Sequence, residues 1–106
     1  MLFRSPDDPV IRSEFVGDPE MEGIVFLFVS ELPQRIEAVQ AALAASDWER
    51  LRTLAHQLKG AAGGYGFPQL GSAAALIDQG IRDGCDLNVI KSRVGTYCAM
   101  AGRVKA

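Results

Sequence analysis

The chain has 106 residues, enough for one domain and hardly for two, and nearly half are apolar, so a core can form without staples. A net charge of −2, with acids and bases in near balance, leaves no electrostatic footprint for nucleic acid and no basic amphipathic stretch for a membrane surface. The longest apolar run, Gly23 to Val29, is far too short to span a bilayer.

Residues 1–17 hold Pro6, Pro9 and Gly17 among scattered apolar side chains and read as a mostly irregular arm packing on the rest. With Asp7, Asp8 and two prolines, this stretch lacks the layout of a signal peptide. A bundle over 18–106 follows. Asp18-Pro19 has the form of an N-cap and a proline at the first helical position. Val25, Phe28, Leu32, Ile36, Val39 and Leu43 then recur at helical spacing. Pro33 interrupts the stripe, and since proline removes a backbone donor and crowds the preceding turn, a kink or a split is expected there. Ser46-Asp47-Trp48-Glu49 matches a capping box and restarts the chain as a helix that runs through His56 to the glycine cluster at 63–66. Phe67-Pro68 opens a third helix carrying Leu70, Ala74, Ile77 and Ile81, which stops near Gly84. Asp86 caps a last helix with Leu87, Ile90, Val94, Tyr97, Ala101 and Val104 on one face. No stretch alternates as a strand bounded by hairpin turns. The architecture expected is all-α, an antiparallel up-and-down four-helix bundle with a kinked or split first helix.

The only histidine, His56, carries most of the functional information. Stepping ~100° per residue gathers Trp48, Leu51, Leu54, Ala55, Leu58 and Ala62 on one side and puts His56 ~140° from their centre. A lone exposed histidine is ordinarily a surface residue with no site attached. Here Gly60 and Gly63 share its stripe, and glycine inside a helix costs ~1 kcal/mol relative to alanine. Gly63 and Gly64 could simply end the helix. Gly60 is followed by Ala61 and Ala62, which continue it, so close approach by another surface is the better reason there. Lys59, three residues on, can lean toward the ring, although most lysines on a helix flank are merely solvated. If the helices flanking the glycine cluster form a hairpin about Phe67, Asp78 comes level with His56. Its carboxylate could then fix the tautomer and leave Nε2 free as nucleophile. Gln79 is the alternative orienter, a plain polar helix face is about as common, and Arg82 could add positive charge near a docked phosphate.

Ala55-His56-Gln57-Leu58-Lys59-Gly60, with Gly66 ten residues after the histidine and Leu70 four later, resembles the histidine phosphotransfer (HPt) domain of multistep phosphorelays. Phe28, Leu32-Pro33, Asp47 and Leu51 fit as well, and the resemblance covers roughly 18–105. It implies a four-helix bundle whose His56 accepts a phosphoryl group from a receiver-domain aspartate and passes it to another. Lys59 would sit near the phosphoryl oxygens, and Gly60 would let the receiver approach. Asp78 takes the place of the family's Gln or Glu, one methylene shorter, with a water or Gln79 as the alternative bridge. Docking would involve Leu27, Val29, Gly60, Gly63 and Tyr65. The partners implied are response-regulator receivers and a hybrid sensor histidine kinase, with Mg²⁺ supplied by the receiver and no cofactor in this chain.

Nothing resembles an ATP-binding kinase part, so no autonomous kinase activity is expected. No metal site is expected from one histidine and two cysteines, Cys85 and Cys98, without metal-type spacing. Free thiols, a reducing cytoplasm and a monomer are the expectations. Two other readings stay open. One is an interaction module that binds receivers without carrying phosphate. The other is the phosphoacceptor domain of a larger histidine kinase, against which the Met1 start and the lack of a trailing linker speak.

Overall fold

The computed structural model describes residues 9–106. Four helices dominate it: α1 (Glu22–Ala44), α2 (Trp48–Gly64), α3 (Pro68–Arg82) and α4 (Leu87–Ala101). Two short strands, β1 (Ile11–Arg12) and β2 (Val104–Lys105), pair in parallel, Ile11 with Val104 and Arg12 with Lys105. This ladder was not expected, because two residues are too few to show alternation. Helix α2 packs on α1 and α3, α3 on α4, and α4 on α1, so the helices close around one core.

Each inter-helix connection is made the same way. At the end of α1, Ser46 N–H donates to Leu43 O (3.0 Å) and Asp47 N–H to Ala42 O (2.9 Å). At the end of α2, Gly66 donates to Gly63 O and Phe67 to Ala62 O; at the end of α3, Gly84 donates to Ile81 O and Cys85 to Gly80 O. This paired closure satisfies the last carbonyls and needs one left-handed residue. The left-handed residues are Ser46 (φ 53°), Gly66 (φ 86°) and Gly84 (φ 69°). Ser46 is therefore the end of α1 and not the cap of α2, as the capping-box reading had it. Asp47 caps α2 instead, its Oδ1 accepting from Arg50 N–H at 3.2 Å.

The first helix differs from expectation at its start. Asp18 does not cap it. Its Oδ1 accepts from Glu20 N–H (2.9 Å), and its carbonyl accepts from Met21 and Glu22, so the chain makes a turn before α1 starts at Glu22. Nor is the helix split at Pro33: α1 runs unbroken through it. Pro33 is exposed, and the buried stripe Val25, Phe28, Leu32, Val39 and Ala42 keeps its period on both sides, so packing on α2 and α4 holds the helix together. The other caps follow the sequence. Pro68 sits in the first turn of α3, and Asp86 Oδ1 accepts from Asn88 N–H at 2.9 Å.

Leu51, Leu58, Leu70, Ile77, Val39 and Tyr97 are fully buried. Phe28 joins the two ends of the α2–α3 turn, its ring 5.0 Å from Tyr65 and 5.7 Å from Phe67. Leu87, expected on the buried face of α4, is 43% exposed, and Val104 is buried from β2, beyond the helix. Burial raises the Cys98 thiol above its ordinary range, with a hydrogen bond to Gln40 opposing it, and both Cys98 and Cys85 are free.

The part of the N-terminal arm in residues 1–8 lies outside the described residues. The part that follows lies on the bundle. Ile11 and Phe15 pack against the core, Ser13 Oγ donates to Tyr65 O (2.6 Å), and Glu14 N–H donates to Gly66 O (2.8 Å). A Cβ at Gly66 would approach Glu14 N and the Phe15 ring to 2.9 Å. Gly66→Ala is therefore expected to combine left-handed strain of ~1–2 kcal/mol with this clash, lowering Tm by roughly 5–15 °C in a thermal melt. Ser46→Gly, at the equivalent position with only a serine to strain, should instead stabilise by about 0.5–1 kcal/mol in denaturant titration.

Candidate functional site

The face of α2 follows from its sequence. Leu51, Ala55, Leu58 and Ala62 are buried, Trp48 and Leu54 half-buried, and His56, Lys59, Gly60 and Gly63 exposed. The glycines on the histidine stripe are not there to let the bundle pack. A Cβ at Gly60, Gly63 or Gly64 would meet nothing within 4 Å. The contrast is Gly71 on α3, where a Cβ would come to 3.1 Å from Lys59 O and 3.5 Å from Gly63 N. So Gly71 lets α3 press against the backbone of α2, and Gly60 keeps the outer surface low.

Beside His56 lies an open depression of about 630 Å³. Trp48, Arg52, His56 and Gln57 line it from α2, and Asp78 and Ile81 from α3. Asp78 thus shares a depression with the ring, as the hairpin stepping required. Its hydrogen bond goes elsewhere. Arg52 Nε donates to Asp78 Oδ1 at 3.0 Å, and Arg82 NH1 stands 3.9 Å from Oδ2. Among the described residues no hydrogen bond joins Asp78 to His56. Asp78 is 8% exposed, so its carboxylate needs these cations: a buried charge without a partner is costly.

The remaining candidates fall as follows. Lys59, Gln79 and Arg82 are exposed, with Gln79 contributing its carbonyl to the end of α3 through Asp83 N–H. Tyr65 is half-buried as the C-cap of α2 and holds Ser13 by its carbonyl, so it has a structural task whatever else it does. Leu27 is 60% exposed, whereas Val29 is half-buried against the core. Two residues escaped sequence reasoning. Phe26, 61% exposed beside Leu27, offers a larger exposed apolar side chain than half-buried Val29. Arg52 had a usable signal: it lies four residues before His56 on the same face, opposite an acid on the next helix. Among the described residues no group of His, Cys, Asp or Glu could hold a metal ion.

The described residues thus form a bundle of four helices that displays an exposed histidine above a stripe of open glycines. Comparison with known families places it more closely. The family model for the Hpt domain matches residues 23–90, from α1 into α4, and the chain belongs to this family. Hpt domains have a histidine phosphotransfer role in phosphorelays, as phosphocarriers rather than kinases. No curated protein and no solved structure matches the chain. Among the described residues no helix is long and apolar enough to cross a membrane.

Since Gly60 has open space around it, Gly60→Ala should stabilise α2 by ~0.5–1 kcal/mol in chemical denaturation. Any activity it loses would then reflect the surface and not the fold.

Proposed function

We propose that the chain accepts a phosphoryl group on His56 from the aspartyl phosphate of a receiver domain and returns it to the aspartate of another. The observation that carries this reading is an exposed imidazole on a helix of the Hpt family, one turn from a glycine with nothing above it. In the forward step the lone pair on Nε2 forms an N–P bond as the P–O bond to the receiver carboxylate breaks, and the carboxylate leaves. The imidazole proton stays on Nδ1. The reverse step returns a neutral imidazole. Catalysis consists mainly of alignment and charge stabilisation.

Lys59, one turn beyond the ring, would supply positive charge to the phosphoryl oxygens. Gly60 and Gly63 would admit the receiver, with Leu27, Phe26, Val29 and the edge of Tyr65 as apolar contacts. Asp78 would set the charge of the depression, with Arg82 behind it, and Gln79 would be the orienter if a side chain from α3 reaches the ring. The Mg²⁺ would come from the receiver. Connections of three and four residues between packed helices, 45–47, 65–67 and 83–86, favour alternating helix directions. The partners on this reading are receivers and a hybrid sensor kinase in the cytoplasm, with this chain a monomer and no ATP-dependent kinase.

Incubation with phosphorylated receivers should label the wild type with acid-labile, base-stable phosphate and leave His56→Gln unlabelled. Labelling of His56→Gln at the wild-type rate would sink the proposal. One observation favours a second reading, a receiver-binding module without phosphate: the imidazole has no hydrogen-bond partner among the described residues. Receiver binding that survives His56→Ala, with no transfer from any receiver, would support it.

A further inference from the structure

Arg52 has no part in the mechanism above, yet it lines the same depression as His56. It lies one turn before the histidine on the stripe, as Lys59 lies one turn after, so two cations bracket the ring along α2. The two are held differently. Lys59 is exposed, its ammonium with no hydrogen bond among the described residues, and it must lose side-chain freedom to meet an anion. Arg52 is tied to α3 through Nε, 3.0 Å from Asp78 Oδ1, while its side chain stays half-exposed. Its two terminal amino groups make no hydrogen bond among the described residues. Those are the groups of a guanidinium that grip phosphate oxygens.

Neutralising buried Asp78 would be a sufficient structural task for Arg52, and Arg82 stands near the same carboxylate at 3.9 Å. What this task leaves unexplained is the free fork beside the only histidine. Glu49, also lining the depression, lies two turns before His56, further along α2 than Arg52. The nearer charge on that side of the ring is therefore positive.

We infer that Arg52, held by Asp78, binds the phosphoryl group carried on His56, and that Asp78 is a positioning residue acting through it. The inference rests on His56 being the phosphoacceptor. Arg52 exchanges no proton and forms no covalent bond. Its guanidinium donates to phosphoryl oxygens while the N–P bond exists, so it stabilises phosphohistidine relative to the receiver's aspartyl phosphate.

The test is the equilibrium of transfer between the full chain and a phosphorylated receiver, measured together with affinity for the unphosphorylated receiver. Arg52→Gln should shift the equilibrium toward the receiver by about tenfold, the worth of a charge-assisted hydrogen bond discounted for exposure, with receiver affinity unchanged. Arg52→Lys should recover part of the shift through its charge. Asp78→Asn should produce part of the same shift toward the receiver, and the double variant Arg52→Gln/Asp78→Asn no more than Arg52→Gln alone. An Arg52→Gln protein with the wild-type melting profile and the wild-type equilibrium would overturn the inference, whatever Asp78→Asn does to folding. That result leaves the phosphocarrier reading intact, since His56→Gln would still be unlabelled. A wild-type chain that takes no label from any receiver overturns both.

Discussion

The close contact of α2 with α3 is the constraint on which the rest depends. Gly66 turns the chain in a left-handed conformation, and Gly71 then lets α3 lie against the α2 backbone at Lys59 and Gly63. Pressed together this way, the two helices bury Leu51, Leu58, Leu70 and Ile77 on the inner side. On the outer side they leave a shallow depression with His56 on one wall and Asp78 on the other. A looser pair would separate Asp78 from Arg52 and leave its carboxylate without the nearest cation. The core and the site are two faces of one packing decision.

Glycine has opposite uses along this pair, and the difference separates fold from function. At Gly66 and Gly71 a side chain would strike the arm or the neighbouring helix. At Gly60 and Gly63 it would strike nothing. The first kind stabilises the bundle; the second costs helix stability and returns nothing to the chain in isolation. The proposed function supplies a reason for the second kind, because on that reading a receiver must reach the histidine.

Much of this was legible in the sequence. The helical spacing of Leu51, Ala55, Leu58 and Ala62 located the inner face of α2 and hence the exposure of His56. Asp86 and Pro68 marked helix starts because their chemistry acts within two or three residues. Ser46 misled because a left-handed serine looks, in sequence, like a cap. Of the kink or split expected at Pro33, the split does not occur, because the stripe on both sides of it is strong enough to keep the helix whole. Asp78 was found on the correct wall, but sequence spacing cannot show which of several cations takes a carboxylate, and Arg52 takes it. The β1–β2 ladder joins residues from opposite ends of the chain, a pairing no local pattern announces.

That ladder has a consequence for the order in which the molecule assembles. The three helix closures are local, each completed within six residues, so they can form early and independently. The ladder is the opposite case: Arg12 and Ala106, bonded at 2.8 Å beside it, are 94 positions apart. Two rungs cannot offset the loop entropy of bringing such distant segments together from an open chain. The bundle must first gather them, so the ladder forms last, and in equilibrium fluctuations it opens first. The seam at residues 11–12 and 104–105 should therefore exchange its amide hydrogens faster than Leu51 or Leu58, deep in the pair that carries the histidine.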